Sequence, residues 1–236
     1  MALSDETRRR LAACSSATLS TQLFKRGLRN QVLMGVSRIT PGAPTLVGEA
    51  FTLRNIPARE DIDHIGVYEN PEHPQRKAIE ITPPGCVLVI DCRADARSAS
   101  AGGILVRRLE VRGVAGLVTD GGLRDSPEIA ARSFPVYCKA PSAPISLITQ
   151  HAVESNVPIA CGGVAVYPGD VIVGDGEGVV VLPRGIAEEV AADTFEQEKL
   201  EEFVQQEIAS GRPLPGVYPP NAETKARYEA WKKRNN

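Results

Sequence analysis

The sequence predicts an α/β fold, and three stretches carry the prediction. Residues 86–91 (CVLVID) form an uninterrupted apolar run after the breakers Pro83, Pro84 and Gly85, with the length of a strand buried on both faces. A helical pattern from Ile104 to about Arg112 follows, then a second apolar run at 116–119. Together they make a β-loop-α-β unit, whose strands are expected to be parallel with a right-handed connection. Residues 169–183 read as two further strands around a glycine-rich turn at 174–178. That turn resembles a phosphate loop only superficially, because a phosphate loop opens a helix and residues 179–182 are a strand.

The other elements follow in order. Ser4 can cap a first helix that buries Leu11, and a second helix over 17–25 stops at Gly27, giving a helical arm. Residues 46–56 alternate as a strand, whereas 61–66 are short and ambiguous. A small-residue loop spans 94–103. Residues 128–132 make a helical turn, and 135–139 and 164–167 make short strands. One long, glutamate-rich amphipathic helix runs from 186 to about 209, with Val190, Phe195, Val204 and Ile208 available for burial, and Gly211 closes it. Residues 1–211 are therefore expected to be one domain, and 212–236, with four prolines and a basic end, an extended tail ending in at most a terminal helix.

Composition narrows the function. The 236 residues carry 27 Lys and Arg against 29 Asp and Glu, a net charge of −2, with no basic run, repeat or low-complexity block. Neither nucleic acid nor a membrane surface is an expected partner. The five cysteines lack a CxxC pair and read as reduced, mostly buried residues. The opening MALSDETRRRLAACSS has no continuous apolar segment, so a cytoplasmic location is expected.

The chemistry gathers at 113–125, GVAGLVTDGGLRD. Leu117 and Val118 read as a buried strand that stops at Asp120, Gly121, Gly122, Arg124 and Asp125, and strand ends in α/β folds are where sites are built. Arginine can clamp a carboxylate with two parallel hydrogen bonds, and aspartate can carry a divalent metal. Such a pair suits chemistry on a keto acid. The same residues also describe a capped turn with a surface ion pair.

The order of elements, together with Gly113-x-x-Gly116-x-Val118-x-Asp120-Gly121-x-x-Arg124-Asp125, resembles the 4-hydroxy-4-methyl-2-oxoglutarate aldolases and the related regulator of ribonuclease activity A. The resemblance covers most of residues 17–211. It implies a compact α/β fold of the swivelling phosphohistidine-domain type, assembled as a homotrimer or homohexamer with active sites between subunits. It further implies a metal-dependent lyase that uses Mg2+ or Mn2+, cleaves a small 2-oxo acid to release pyruvate, and decarboxylates oxaloacetate. On that resemblance Arg124 binds the pyruvyl carboxylate, Asp125 holds the metal, and Asp120 lies behind it. Backbone amides at Gly102, Gly103, Ile104 and Leu105 hold substrate oxygens, and Glu201 from the long helix of a neighbouring subunit takes up a proton.

Three departures stand out. Gly103 replaces the acidic residue usual after the glycine that opens the site helix, with Asp95 or His64 as candidate substitutes. A frequent Ser-Asp pair in the arm appears as Ser20-Thr21, and residues 93–100 are rich in Arg, Ser and Ala. The resemblance therefore also admits a noncatalytic protein-binding regulator, or a hydratase or hydrolase of a sugar-derived keto acid. Schiff-base chemistry needs a desolvated lysine, for which Lys139 is the one candidate.

Overall fold

Serine hydroxyls start both helices of the N-terminal arm. The computed structural model describes residues 3–235. Ser4 Oγ accepts the Thr7 N–H at the head of α1 (Asp5–Ala12), and Ser15 Oγ accepts the Thr18 N–H at the head of α2 (Ser16–Lys25), both at 3.1 Å. The chain continues through β1 (Ser37–Arg38), β2 (Leu46–Pro57), a 3-10 turn (Ile65–Glu69), α3 (Pro74–Ile81) and β3 (Val87–Asp91). Next come β4 (Ala99–Ala101), α4 (Gly103–Val111), β5 (Gly116–Thr119), β6 (Gly122–Leu123), α5 (Ser126–Ala130), β7 (Val136–Cys138) and β8 (Ala140–Pro141). The remainder is β9 (Gln150–Ser155), β10 (Ile159–Cys161), β11 (Val164–Val166), β12 (Val171–Gly174), β13 (Val179–Leu182), α6 (Ala187–Ala209) and α7 (Ala222–Asn235).

The main sheet has the order β1-β7-β5-β3-β2-β12-β13, with β9 also paired to β2. Its centre, β2-β3-β5-β7, is parallel as the β-loop-α-β pattern requires, and the hairpin β12-β13 joins β2 antiparallel. Strand periodicity explains the layering. On β3, Leu88 and Ile90 face a core shared with Val106 and Leu109 of α4, while Val87 and Val89 face one shared with Ile172, Val179 and Cys161. All four are fully buried, so each face of the sheet has its own core. A third core seats α1, α2 and α6 on the hairpin through Leu11, Leu19, Leu23, Val173, Val180 and Val190. No helix among the described residues is long and apolar enough to cross a membrane.

Three features depart from the sequence expectation. First, the loop at 94–103 and the turn after β5 each contain a short strand, and β4-β6-β8 form a separate small parallel sheet. Strands of two or three residues are too short to show a period. Second, α3 forms where no element was expected, with Pro74 in its first turn, where the missing N–H costs nothing. Third, the tail ends in the terminal helix that its sequence allowed, but packs back on the domain instead of extending from it. α7 returns along α6, stacking Tyr228 and Trp231 around Phe203, while Glu207 of α6 binds Arg212 and Arg227. All five cysteines are free thiols, and Cys86 alone is only partly buried.

Close packing of the sheet sets the first expectation. A Cβ on Gly116 would stand 2.6 Å from Leu46 Cδ1 and 2.7 Å from the Pro135 carbonyl, whereas one on Gly176 would meet nothing within 4 Å. Gly116→Ala should therefore lower stability by about 1–3 kcal/mol through overpacking, and Gly176→Ala by less than about 0.5 kcal/mol, read as shifts in the urea midpoint.

A second concerns Asp175, which ties the hairpin turn to α2. Burial alone would raise its pKa, but hydrogen bonds from Ser16 N–H and Oγ–H and from the Glu177 and Gly178 amides hold it below the usual carboxylate range. A lowered folded-state pKa stabilises the protein above the ordinary aspartate value of about 3.9 and ceases to do so as pH falls through the lowered one. Asp175→Asn should thus lower the urea midpoint at neutral pH, and the difference from the parent should close in acid.

Candidate active site

The small sheet positions the site. β4 and β6 run parallel, and the Arg124 N–H donates to the Ala101 carbonyl at 3.1 Å, so Gly102 leaves β4 beside the point where Arg124 leaves β6. A Cβ on Gly102 would lie 2.7 Å from Arg124 Cγ and 2.8 Å from Asp125 Oδ2. Only glycine lets those two side chains come this close to the helix end. The glycines after Asp120 have a different role, since a Cβ on Gly121 or Gly122 would strike Cys92 Sγ or Ser142 Cβ at 2.5 Å. They pack the two sheets together.

Asp125 sits in the left-handed region at φ 58°, a conformation that aspartate tolerates better than most residues. Its Oδ2 accepts the Gly103 N–H at 2.9 Å and lies 3.8 Å from Arg124 Nε. The first helical hydrogen bond of α4 runs from the Val106 N–H to the Gly102 carbonyl, so the Ile104 and Leu105 amides precede the helical ladder and are free for a ligand. A cleft of about 460 Å3 opens here, lined by Gly102, Ile104, Leu105, Arg124 and Asp125. Tyr68, Gln75, Arg76 and Ser146 line it as well. None of these four was expected. They come from the 3-10 turn, from α3 and from the segment before β9, and nothing in their local sequence marks them as neighbours of Arg124.

The remaining expected residues stand elsewhere. Gly103 is buried, and its amide is occupied by Asp125. Asp120 is 2% exposed and does not line the cleft. Its Oδ1 accepts the Cys92 N–H at 2.6 Å, and its Oδ2 accepts Ala94 N–H at 2.9 Å and Gly162 N–H at 3.2 Å. These bonds hold a turn in which Arg93 and Ala94 both adopt positive φ. Glu201 lies on α6, accepts a hydrogen bond from Gln197 at 2.7 Å and borders a groove with Val204 and Tyr218 rather than this cleft.

Neither candidate substitute for an acid at position 103 lines the cleft. Asp95 is engaged by Arg97, and the His64 ring lies over Gly66. The space beside Gly103 is occupied by Glu128, whose Oε2 lies 2.9 Å from where a Gly103 Cβ would stand, with Arg132 as its ion-pair partner. Lys139 is exposed and donates to the Ala94 carbonyl at 2.7 Å, which does not provide the desolvation a Schiff-base lysine needs.

The donor set bears on the metal. No group of three or more His, Cys, Asp or Glu residues able to hold an ion occurs among the described residues, and Asp125 is the cleft's one lining carboxylate. This fits Mg2+ or Mn2+, which bind through one or two carboxylates and keep water and substrate oxygens as further ligands. It does not fit a structural zinc cage.

The bonds at Asp120 predict the outcome of its mutation. Asp120→Asn sets an amide NH2 against backbone N–H donors and should cost about 1–3 kcal/mol in urea unfolding, with faster hydrogen exchange over residues 92–94.

Comparison with known proteins places the chain. The family model described as RraA-like, Aldolase/RraA, matches residues 12–181. A Thermus thermophilus 4-hydroxy-4-methyl-2-oxoglutarate aldolase is 35% identical over 110 residues, 46% of this chain and 66% of that protein. A Halalkalibacterium halodurans protein provisionally named as such an aldolase is 42% identical over 114 residues, 48% of this chain and 54% of that one. The chain thus spans only about half the length of several curated relatives it matches. Among solved structures, Streptomyces coelicolor RraAS2, described as an unusual member of the RNase ES inhibitor RraA family, superimposes with a TM-score of 0.76 at 32% identity, over 87% of this chain and 98% of that one. An uncharacterized Pseudomonas syringae protein shares the fold with a TM-score of 0.78 at 24% identity, over 92% of this chain and 99% of the other. With Arg124 and Asp125 lining one cleft and the family model covering most of its length, the chain belongs to the RraA-like, Aldolase/RraA family.

Proposed function

We propose that the protein is a divalent-metal-dependent lyase that cleaves a carbon–carbon bond of a small 2-oxo acid and releases pyruvate. The observation that carries this reading is the convergence of a guanidinium, a carboxylate and two open backbone amides on one helix end. Arg124 binds the 2-oxo acid's carboxylate through its guanidinium fork. The Ile104 and Leu105 amides, at the positive end of α4, donate to the keto or carboxylate oxygen and strengthen as negative charge develops there. Asp125 would hold Mg2+ or Mn2+, with Oδ2 kept in place by the Gly103 amide. A bound ion would supply Lewis-acid polarisation of the keto group, so that the carbonyl accepts the electron pair left by the broken bond. In a retro-aldol cleavage the departing hydroxyl must give up its proton; in oxaloacetate the leaving group is carbon dioxide.

Glu201 is the proposed proton acceptor, delivered from a neighbouring subunit of a trimer or pair of trimers. Glu201 lies on α6 and does not line the cleft of its own chain, so the role proposed for it is one in trans. A second reading, a protein-binding regulator, is favoured by the description of RraAS2 and by the exposure of Ile104 and Ile65 at the cleft mouth, 86% and 70%.

Pyruvate release from oxaloacetate and 4-hydroxy-4-methyl-2-oxoglutarate, with Mg2+ or Mn2+ and against a metal-only blank, tests the lyase. Asp125→Ala should abolish release and weaken Mn2+ binding measured separately by calorimetry. Arg124→Lys should raise KM for oxaloacetate by about ten- to a hundredfold, the loss of one charge-assisted hydrogen bond of about 1.5–3 kcal/mol. Release no greater than the blank would favour the regulator.

The α6 glutamates separate proton transfer from structure. Glu198 binds the N–H and hydroxyl of Ser15, and Glu196 pairs with Lys199 and Lys232. Glu201→Gln should lower kcat with the urea midpoint unchanged, whereas Glu198→Gln should lower the midpoint and spare kcat. Equal kcat in the Glu196, Glu198, Glu201 and Glu202 variants would remove Glu201 from the mechanism.

A further inference from the structure

Residues 58–73 join β2 to α3 with no buried residue among them, and their 3-10 turn supplies Ile65 and Tyr68 to the cleft lining. Connections this long are uncommon in compact domains, and at a cleft they often move to open and close it. Among the described residues, no main-chain hydrogen bond ties 59–72 to any residue outside the stretch. The bonds are internal, from Ile62 and Asp63 to Arg59, Val67 to His64, and Asn70 to Val67.

Side chains make the attachment instead. The Tyr68 hydroxyl is bonded to Ser146 Oγ, the Arg76 guanidinium lies 4.3 Å from the centre of its ring, and Glu72 pairs with Lys77 beside the α3 end. The remaining tie is a carboxylate withdrawn from water. The Asp63 side chain is 2% exposed, although it belongs to a solvent-facing stretch in which neighbouring Asp61 is 64% exposed. Asp63 Oδ2 accepts the Arg59 N–H at 2.8 Å, and Oδ1 lies 2.7 Å from His151 Nδ1 on β9. A carboxylate only accepts, so the imidazole donates from Nδ1. Burial of that carboxylate is costly without its partner, so docking of the stretch and formation of the Asp63–His151 bond depend on each other.

We propose that residues 58–73 are a flap that gates the cleft at the head of α4, hinged on β2 and α3 and fastened by the Asp63–His151 bond. Few buried contacts and side-chain attachment make this stretch open at a lower cost than the sheet behind it. When the fastening breaks, Ile65 and Tyr68 leave the cleft lining with the flap, and the cleft opens to solvent. The inference concerns access to the cleft and holds for either the lyase or the regulator reading.

Hydrogen exchange followed by mass spectrometry tests the fastening. His151→Phe and Asp63→Ala should each speed exchange over 60–70 by about tenfold, the loss of one hydrogen bond to a charged group, with exchange over β3 and β5 unchanged. His151→Asn, whose amide can donate from nearly the same place, should stay closer to the parent. The double variant should exchange no faster than either single variant, since both cut one bond. Access is read separately, by iodoacetamide labelling of Leu105→Cys in the cleft against the background of the five native thiols. Adding His151→Phe or Asp63→Ala should speed that labelling about tenfold. Unchanged exchange over 60–70 in both single variants, or multiplied effects in the double variant, overturns the fastening. Faster exchange with unchanged labelling overturns the gate. Neither readout uses pyruvate release, so a failed lyase leaves the flap standing and a failed flap leaves the lyase.

Discussion

A single carboxylate excluded from water organises the region on which the cleft depends. Asp120 accepts amide hydrogens from Cys92, Ala94 and Gly162, which join the ends of β3 and β5 to the turn between β10 and β11. A polar group this buried is costly unless its acceptors are filled, and Arg93 and Ala94 adopt positive φ in the turn that fills them. The bend has its own anchors, Gln150 and the Thr149 carbonyl on Arg93. Burial raises the pKa of nearby Asp91, an effect opposed by the Arg93 amide and reinforced by the charge of Asp120. Two adjacent carboxylates at the end of the sheet thus share the turn: Asp120 accepts the Cys92 and Ala94 amides, and Asp91 Oδ1 accepts the Arg93 amide at 2.8 Å.

From that turn the chain enters β4, and the pairing of β4 with β6 sets the site. Gly102 and Arg124 are placed side by side by one main-chain hydrogen bond, and the absent Cβ of Gly102 leaves room for Asp125 to reach the helix end. Asp125 then caps α4 from outside its own helix. A capping aspartate is held rigidly and retains a second oxygen for other work, which is the preorganisation that a binding or catalytic group needs. The cost is local strain at Asp125, whose φ is 58°.

The relation between Gly103 and Glu128 shows how far a residue pattern can mislead. Read along the chain, glycine at 103 is a missing acid. In space, the volume that its side chain would occupy contains the Glu128 carboxylate, supplied by α5 and held by Arg132. An aligned pattern records which residue supplies a group, whereas chemistry depends on where the group ends up. Asp125 immediately precedes the five-residue helix α5, so the segment that positions the cap also brings Glu128 to the first turn of α4.

Hydrophobic patterning was enough to specify β2, β3, β5, the hairpin, α4 and α6, because each is long or apolar enough for burial to dictate its period. The Ser4 cap of α1 was equally plain, as was the placement of Arg124 and Asp125 at a strand end. Local sequence could not reveal the two-residue strands β6 and β8, whose only stabilisation is pairing with distant partners. For the same reason it could not show Asp120 turning inward to main-chain amides, α7 folding back on Phe203, or Arg76 lining one cleft with Arg124. Which side chains share a cleft is decided by contacts between residues far apart in the chain, and those exist only once the sheet has formed.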